Sequence, residues 1–165
     1  MKAIKIEKFG GPEVLELKDI EIGKPGPKEV LVKNNSIGLN YIDVYHRTGL
    51  YPLELPSGIG LEASGVVEEI GAEVSHFKVG DRVSHASAPI SGYSEKQIMP
   101  EEKLVIVPEG ISDEVASCIL LKGITSEYLL HRSYAAKKGD KVLFHAAAGG
   151  VGQILCQWAN ALGCE

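Results

Sequence analysis

Cysteine is scarce in this 165-residue sequence, with only Cys118, Cys156 and Cys164. An odd, sparse set in a chain this long excludes a disulfide framework and points to a reducing, cytoplasmic setting. Long apolar runs are missing too. None approaches the roughly 18 residues that a membrane span needs, and Met1-Lys2-Ala3-Ile4-Lys5 alternates charged and apolar residues with no signal-peptide core. Basic charge is in deficit, with 17 Lys+Arg against 22 Asp+Glu and a formal net charge of -5. A nucleic-acid binder would normally carry a basic face, so that class is disfavoured.

What remains is ordinary globular composition, 44% hydrophobic and 24% charged, enough for a core within about one domain. The 19 glycines fall at turn positions between short β-rich runs, with no internal repeat. Residues up to about Pro108 read as strands: Lys2–Lys8, Val14–Ile20, Glu29–Ile37, Ser64–Ile70, Asp81–His85, Tyr93–Met99 and Lys103–Val107. Each is rich in Val and Ile and bounded by Gly, Pro, Asn or Asp. One short helix, Asn40–Arg47, interrupts them. Many short strands with turn signals predict a barrel or sandwich.

After Pro108 the period changes. Ser112 followed by Asp113 and Glu114 is a helix start. Val115, Ile119 and Leu120 recur at helical spacing, Gly123 breaks the run, and Thr125–Ala136 resumes it. Val142-Leu143-Phe144 is a short apolar strand of the buried parallel kind. Gly149–Leu162 is helical, with Val151, Ile154, Leu155, Trp158 and Leu162 on one face. The division is therefore 1–112 and 113–165. A buried parallel strand and an amphipathic helix make two thirds of a βαβ unit, and the next strand should begin near Glu165. The chain reads as truncated; the alternative is a small domain whose last helix packs on the barrel.

The apolar strand runs into Ala146-Ala147-Ala148-Gly149-Gly150-Val151-Gly152 and then a helix. Against the dinucleotide fingerprint G-x-G-x-x-G, Ala147 stands at the first glycine, and Gly149 and Gly152 at the others. Gly149 lets backbone approach a pyrophosphate, Gly152 allows close helix–strand packing, and the helix N-terminus offers N–H groups and a positive dipole end. The required strand and helix flank the loop. The alternative is a glycine turn chosen for tight packing. The residue that separates NAD from NADP lies about 20 positions further on, so the loop does not choose between them.

A β-rich half running into Ala-Ala-Gly-Gly-Val-Gly resembles the medium-chain dehydrogenase/reductase superfamily, specifically the zinc-independent, ζ-crystallin-like quinone oxidoreductases. Gly60-Leu61-Glu62-Ala63-Ser64-Gly65, Gly71 and Gly80-Asp81-Arg82-Val83 follow its catalytic-domain pattern. Gly139-Asp140, Leu143, Ala147-Ala148-Gly149-Gly150, Gly152 and Gln157 resemble the quinone reductase signature, which departs here at Asn160. The resemblance implies a GroES-like β-barrel catalytic domain followed by the start of a Rossmann doubly wound domain. Zinc-dependent relatives carry His and Cys where this chain has Leu61 and Asn40. Leucine cannot ligate zinc and an amide is a poor ligand, so no metal is expected. The cysteines are read as packing thiols. His46, His76, His85, His131 and His145 are scattered, with no ligand spacing, and are read as structural.

By resemblance, Asn40, Tyr41, Ile42 and Tyr45 line the nicotinamide pocket, with Asn40 and Tyr45 as the catalytic candidates. Thr125, Ala148, Gly149, Gly150, Val151 and Gly152 are the further cofactor-contacting positions. On the residues alone, Tyr41 and Tyr45 would be helix-packing side chains at i,i+4, and Thr125 a helix cap. The implied reaction is NADPH-dependent reduction of a quinone or related enone by a full-length homodimer. An enone or enoyl-thioester reductase is the alternative on the same scaffold. A non-catalytic GroES-like binding or structural module is the alternative for this chain alone.

Overall fold

Val30, Leu31 and Val32 are buried in succession, as happens when both faces of a strand are covered. They lie in β3 (Glu29–Gly38), an inner strand of an antiparallel sheet. In the computed structural model, which describes residues 1–165, β3 pairs with β5 (Glu62–Ile70) on one side and β7 (Lys96–Pro100) on the other. The order is completed by β6 (Arg82–Ala86) and β8 (Val105–Ile106) as β7-β3-β5-β6-β8. Val30, Val32, Val67, Val83, Met99 and Leu104 form the core on one face. The β3–β5 register shifts twice, at Leu31/Val32 and Asn34/Ser36. Gly65 sits beside these shifts, where any Cβ would collide with the Lys33 carbonyl.

A second sheet has the order β2-β1-β4, from β1 (Lys2–Ile6), β2 (Glu16–Asp19) and β4 (Ser57–Gly58). Ile6, Val14 and Ile59 form its core, with Leu15, Leu53, Leu55 and Tyr93 packed against them. The expected closed β-barrel is not formed. Both sheets are open. β4 and β8 are two residues long, too short to carry a closing ladder, and β1 meets the segment before β7 only at the Ala3–Ser94 bridge.

Polar contacts fasten the start of α2 (Asp113–Tyr128) to the larger sheet instead. Ser36 Oγ meets Ser117 Oγ at 2.8 Å, and Ser84 Oγ donates to the Ala116 carbonyl at 3.1 Å. Asp113 accepts from Ser64 Oγ at 3.0 Å, Arg82 Nη2 at 2.9 Å and Asn35 Nδ2 at 2.9 Å. Burial alone would raise the Asp113 carboxyl; the hydrogen bonds from Asn35, Arg82 and Ser64 outweigh it and hold it below its ordinary value. Gly38 lets β3 pass under this helix, since a Cβ there would strike the Ser117 carbonyl.

The chain divides into two units, Met1–Cys118 and Ile119–Glu165. Gly123 does not break α2, which runs on to Tyr128 and ends in a π-type turn, Leu129–Ser133. One helical glycine costs about 1 kcal/mol against alanine, too little to interrupt sixteen residues otherwise compatible with helix. In the second unit, α3 (Gly150–Ala161) packs Leu155 and Ala159 on Leu130. The expected strand Val142–Phe144, the opening of a doubly wound sheet, does not form, and Leu143 is 86% exposed. Its neighbour in pairing is a single residue: Glu165 N–H donates to the Asp140 carbonyl (2.8 Å) and Val142 N–H to the Glu165 carbonyl (2.9 Å). That alternation is parallel pairing, in the direction a βαβ unit requires, but one residue is not a ladder. Cys118 and Cys156 are exposed rather than packed, whereas Cys164 is half-buried against the α3 cluster.

His85, on β6, has no solvent exposure, and neither ring nitrogen makes a hydrogen bond of good geometry, the Leu61 backbone offering only a weak contact. Burial lowers its pKa to about 4, partly opposed by the Leu61 backbone. The unfolded chain therefore takes up this proton first. Stability should fall as pH drops from about 6.5 towards 4, by up to about 3 kcal/mol. Urea titrations across that window should show the loss in the parent chain and a flatter profile in His85→Gln. An unchanged profile would remove His85 as the cause.

Candidate functional site

Gly38-Leu39-Asn40 leaves β3 and enters α1 (Tyr41–Thr48). Asn40 is the N-cap and stands with Asp43 in the positions of a capping box. Its backbone N–H donates to Asp43 Oδ2 at 2.9 Å, and Asp43 N–H donates to the Asn40 carbonyl at 3.0 Å. Asn40 is only 7% exposed, and its Nδ2 donates to Glu62 Oε2 at 2.9 Å. Glu62, at the start of β5, is fully buried. Asp43 Oδ2 also accepts from the Tyr93 hydroxyl at 2.8 Å. Burial, then the Asp43 bond, pushes that phenol above its ordinary pKa. Burial lowers His46, opposed by Asp43.

The rest of α1 is aromatic. Tyr41 is 72% exposed, Ile42 and Tyr45 are half-buried. Tyr41 and Tyr45 rings meet edge to face at 5.3 Å, and Tyr45 meets Tyr51 at 5.3 Å. Tyr51 was not singled out from the sequence. It lies beyond the helix, and the turn that carries it is fixed by Tyr51 N–H donating to the Tyr45 carbonyl at 3.2 Å. The i,i+4 spacing of Tyr41 and Tyr45 brings the first pair together, but nothing in spacing announces the third ring.

The other predicted positions lie in the second unit. Thr125 is not a cap: it sits inside α2 and its hydroxyl donates to the Leu121 carbonyl, one turn back, at 2.8 Å. Ala148, Gly149 and Gly150 are exposed. Gly149 caps α3, its N–H donating to Ala146 O at 2.8 Å. The first ladder bond runs from Gln153 N–H to Gly149 O (2.9 Å), so the N–H groups of Gly150, Val151 and Gly152 precede the helical ladder. Gln153, unremarked in the sequence, donates from Nε2 to the Ala148 carbonyl at 2.9 Å and braces the loop.

The three glycines are glycine for different reasons. A Cβ at Gly152 would lie 2.5 Å from the Ala147 carbonyl, so packing forbids one. At Gly150 it would meet the Lys122 stem at 2.8 Å, a flexible neighbour. At Gly149 the nearest atom would be Ala146 O at 3.1 Å, a contact small shifts relieve, and φ is -74°, open to any residue. The fold tolerates a side chain at Gly149; a ligand approaching this backbone would not. These residues therefore fit a pyrophosphate. Ala146 has φ 58°, the only non-glycine residue in the left-handed region.

Two stability measurements follow. Ala146→Gly should raise the melting temperature, by about 1 kcal/mol of relieved strain. Gly152→Ala should lower stability by about 1–3 kcal/mol through overpacking. Equal, negligible effects at both positions would contradict this account of the loop.

No group of three or more His, Cys, Asp and Glu side chains is placed to hold a metal ion, and no helix is long and apolar enough to cross a membrane. Residues 26–140 match the family model of the alcohol dehydrogenase GroES-like domain. A quinone oxidoreductase of Pseudomonas aeruginosa is 54% identical over 165 residues, covering 99% of this chain and 51% of the relative. The structure of Escherichia coli quinone oxidoreductase complexed with NADPH superposes with a TM-score of 0.97 at 46% identity, covering 100% of this chain and 51% of that one. A 2-haloacrylate reductase of a Burkholderia species is 44% identical over 167 residues, covering 98% of this chain and 50% of the relative. The chain thus spans about half the length of the curated relatives it matches.

Proposed function

The chain belongs to the alcohol dehydrogenase GroES-like family and corresponds to the N-terminal region of the zinc-independent, ζ-crystallin-like quinone oxidoreductases; from that footing we propose that it forms the N-terminal part of an NADPH-dependent quinone oxidoreductase. In this reading 1–112 is the GroES-like catalytic domain, and 113–165 holds the connecting helices and the residues that supply the first βα unit of the nucleotide-binding domain in the full-length protein. It places the full-length protein in the cytoplasm as a homodimer, acting on small molecules rather than nucleic acid or membrane. The observation that carries it is the loop at Gly149, glycine where the fold does not demand glycine. Likeness to a relative solved with NADPH supports the choice of cofactor.

NADPH, when bound, supplies the hydride, and the protein positions and shields the reacting centres. Gly149, Gly150, Val151 and Gly152 receive the pyrophosphate on backbone N–H groups, with Ala148 and Thr125 flanking. Asn40, Tyr41, Ile42 and Tyr45 line the nicotinamide pocket. The edge-to-face rings of Tyr41, Tyr45 and Tyr51 offer aromatic faces suited to a flat conjugated acceptor. Such an acceptor spreads incoming charge over its own π-system, and the Tyr45 hydroxyl or the Asn40 amide steadies the oxygen on which charge develops. Similarity to a 2-haloacrylate reductase favours a second reading, reduction of an electron-poor alkene on the same pocket.

In the full-length enzyme, Tyr45→Phe should lower quinone turnover while leaving NADPH affinity nearly unchanged; unaltered kcat/KM would sink that role. Gly149→Val should abolish NADPH binding, with the melting temperature within a few degrees of the parent. Parental affinity in that variant would refute the loop assignment. The 165-residue chain by itself should bind NADPH weakly and not turn over, and robust quinone reduction by it would overturn that expectation.

A further inference from the structure

Glu62 opens β5, an inner strand of the larger sheet, and pairs with Gly38 of β3 on one side and Ala86 of β6 on the other. Its side chain is fully buried. Glycine makes the room: a Cβ at Gly38 would lie 2.9 Å from Glu62 Oε2. Two residues beyond Gly38, Asn40 directs its Nδ2 to that same oxygen at 2.9 Å. A buried carboxyl oxygen is costly unless a donor meets it, and the Asn40 amide supplies one.

The main chain of Asn40 is secured separately. Its N–H donates to Asp43 Oδ2, and its carbonyl accepts the Asp43 N–H. Glu62 therefore adds its restraint to the side chain alone. An amide group has two ends of nearly equal size, one donating and one accepting. Rotated by half a turn, it presents the opposite chemistry to whatever lies beside it. In that orientation Asn40 Oδ1 would face Glu62 Oε2, acceptor against acceptor. The carboxylate excludes it, and strands on both sides of β5 fix where that carboxylate begins.

We propose that Glu62 is a positioning residue for the reaction: it locks the orientation of the Asn40 amide, so that no more than one amide N–H remains for a ligand. Being fully buried, Glu62 acts through Asn40 and touches neither cofactor nor acceptor. The inference rests on the reading of Asn40 as a lining residue of the nicotinamide pocket and deepens it. It uses only residues of the first unit.

A double-mutant cycle in the full-length enzyme tests it, with p-benzoquinone as acceptor. Glu62→Leu should lower kcat/KM by about tenfold or more, the scale of a misplaced side chain. In an Asn40→Ala background the same substitution should cost nothing further, because the group it positions is gone. Equal losses in both backgrounds, or no loss from Glu62→Leu alone, overturn the proposal. An Asn40→Ala enzyme at parental kcat/KM overturns the reading of the pocket and this inference with it. Additive losses beside an impaired Asn40→Ala overturn the inference and leave that reading standing. Should Glu62→Leu fail to fold, a reversed pair decides. Asn40→Asp alone sets two carboxyl groups together; combined with Glu62→Gln, it restores the bond with donor and acceptor exchanged. The reversed pair should melt above Asn40→Asp and yet not regain kcat/KM. A pair that melts no higher, or that regains kcat/KM together with stability as a purely structural bond would, overturns the proposal.

Discussion

Two buried carboxylates hold the start of α1, and the position of every candidate ligand-contacting residue in the first unit follows from them. Asp43 takes the Asn40 backbone N–H and the Tyr93 hydroxyl; Glu62 takes the Asn40 side-chain amide. A carboxylate only accepts, so the bond to Glu62 also fixes which end of that amide faces the sheet. Asn40 thereby joins helix to sheet, while Tyr93 carries the restraint to the smaller sheet, where Ile4 N–H donates to its carbonyl at 2.8 Å. With its first turn held from two directions, α1 presents Tyr41 and Tyr45 as a fixed aromatic edge, and Tyr51 extends it.

The second unit is organised by a different constraint, the closeness of a loop to a helix. Gly152 must lack a side chain for α3 to approach Ala147 at all. Once it does, the helix start is bare of side chains over Gly149 and Gly150, and Gln153 ties the loop back to Ala148. Packing explains one of these glycines and exposure the others. Gly149 and Gly150 are thus free of the packing constraint that requires glycine at 152.

Local chemistry made much of this legible from sequence. The short Val-rich runs became strands close to where alternation and turn residues placed them, and Asn40 became the helix start that its residue type favours. The failures were matters of pairing. A run such as Val142-Leu143-Phe144 has strand composition, but a strand also needs a neighbour, and Glu165 is the one residue paired beside it. Strand number left a barrel or a sandwich open and the family resemblance implied the barrel, whereas closure depends on the length of the edge strands, and β4 and β8 are too short. Glu62, Asp43, Tyr51 and Gln153 went unassigned because their roles come from partners across the fold or along the loop that spacing alone does not disclose.

The central claim is that this chain belongs to an enzyme that passes electrons from NADPH to a quinone without a metal. It is tested most directly on the protein purified from its native source, by following NADPH absorbance with p-benzoquinone as acceptor before and after exhaustive chelation. The account predicts quinone-dependent NADPH oxidation at the same rate in both. Absence of oxidation, or activity lost on chelation and restored by zinc, would contradict it.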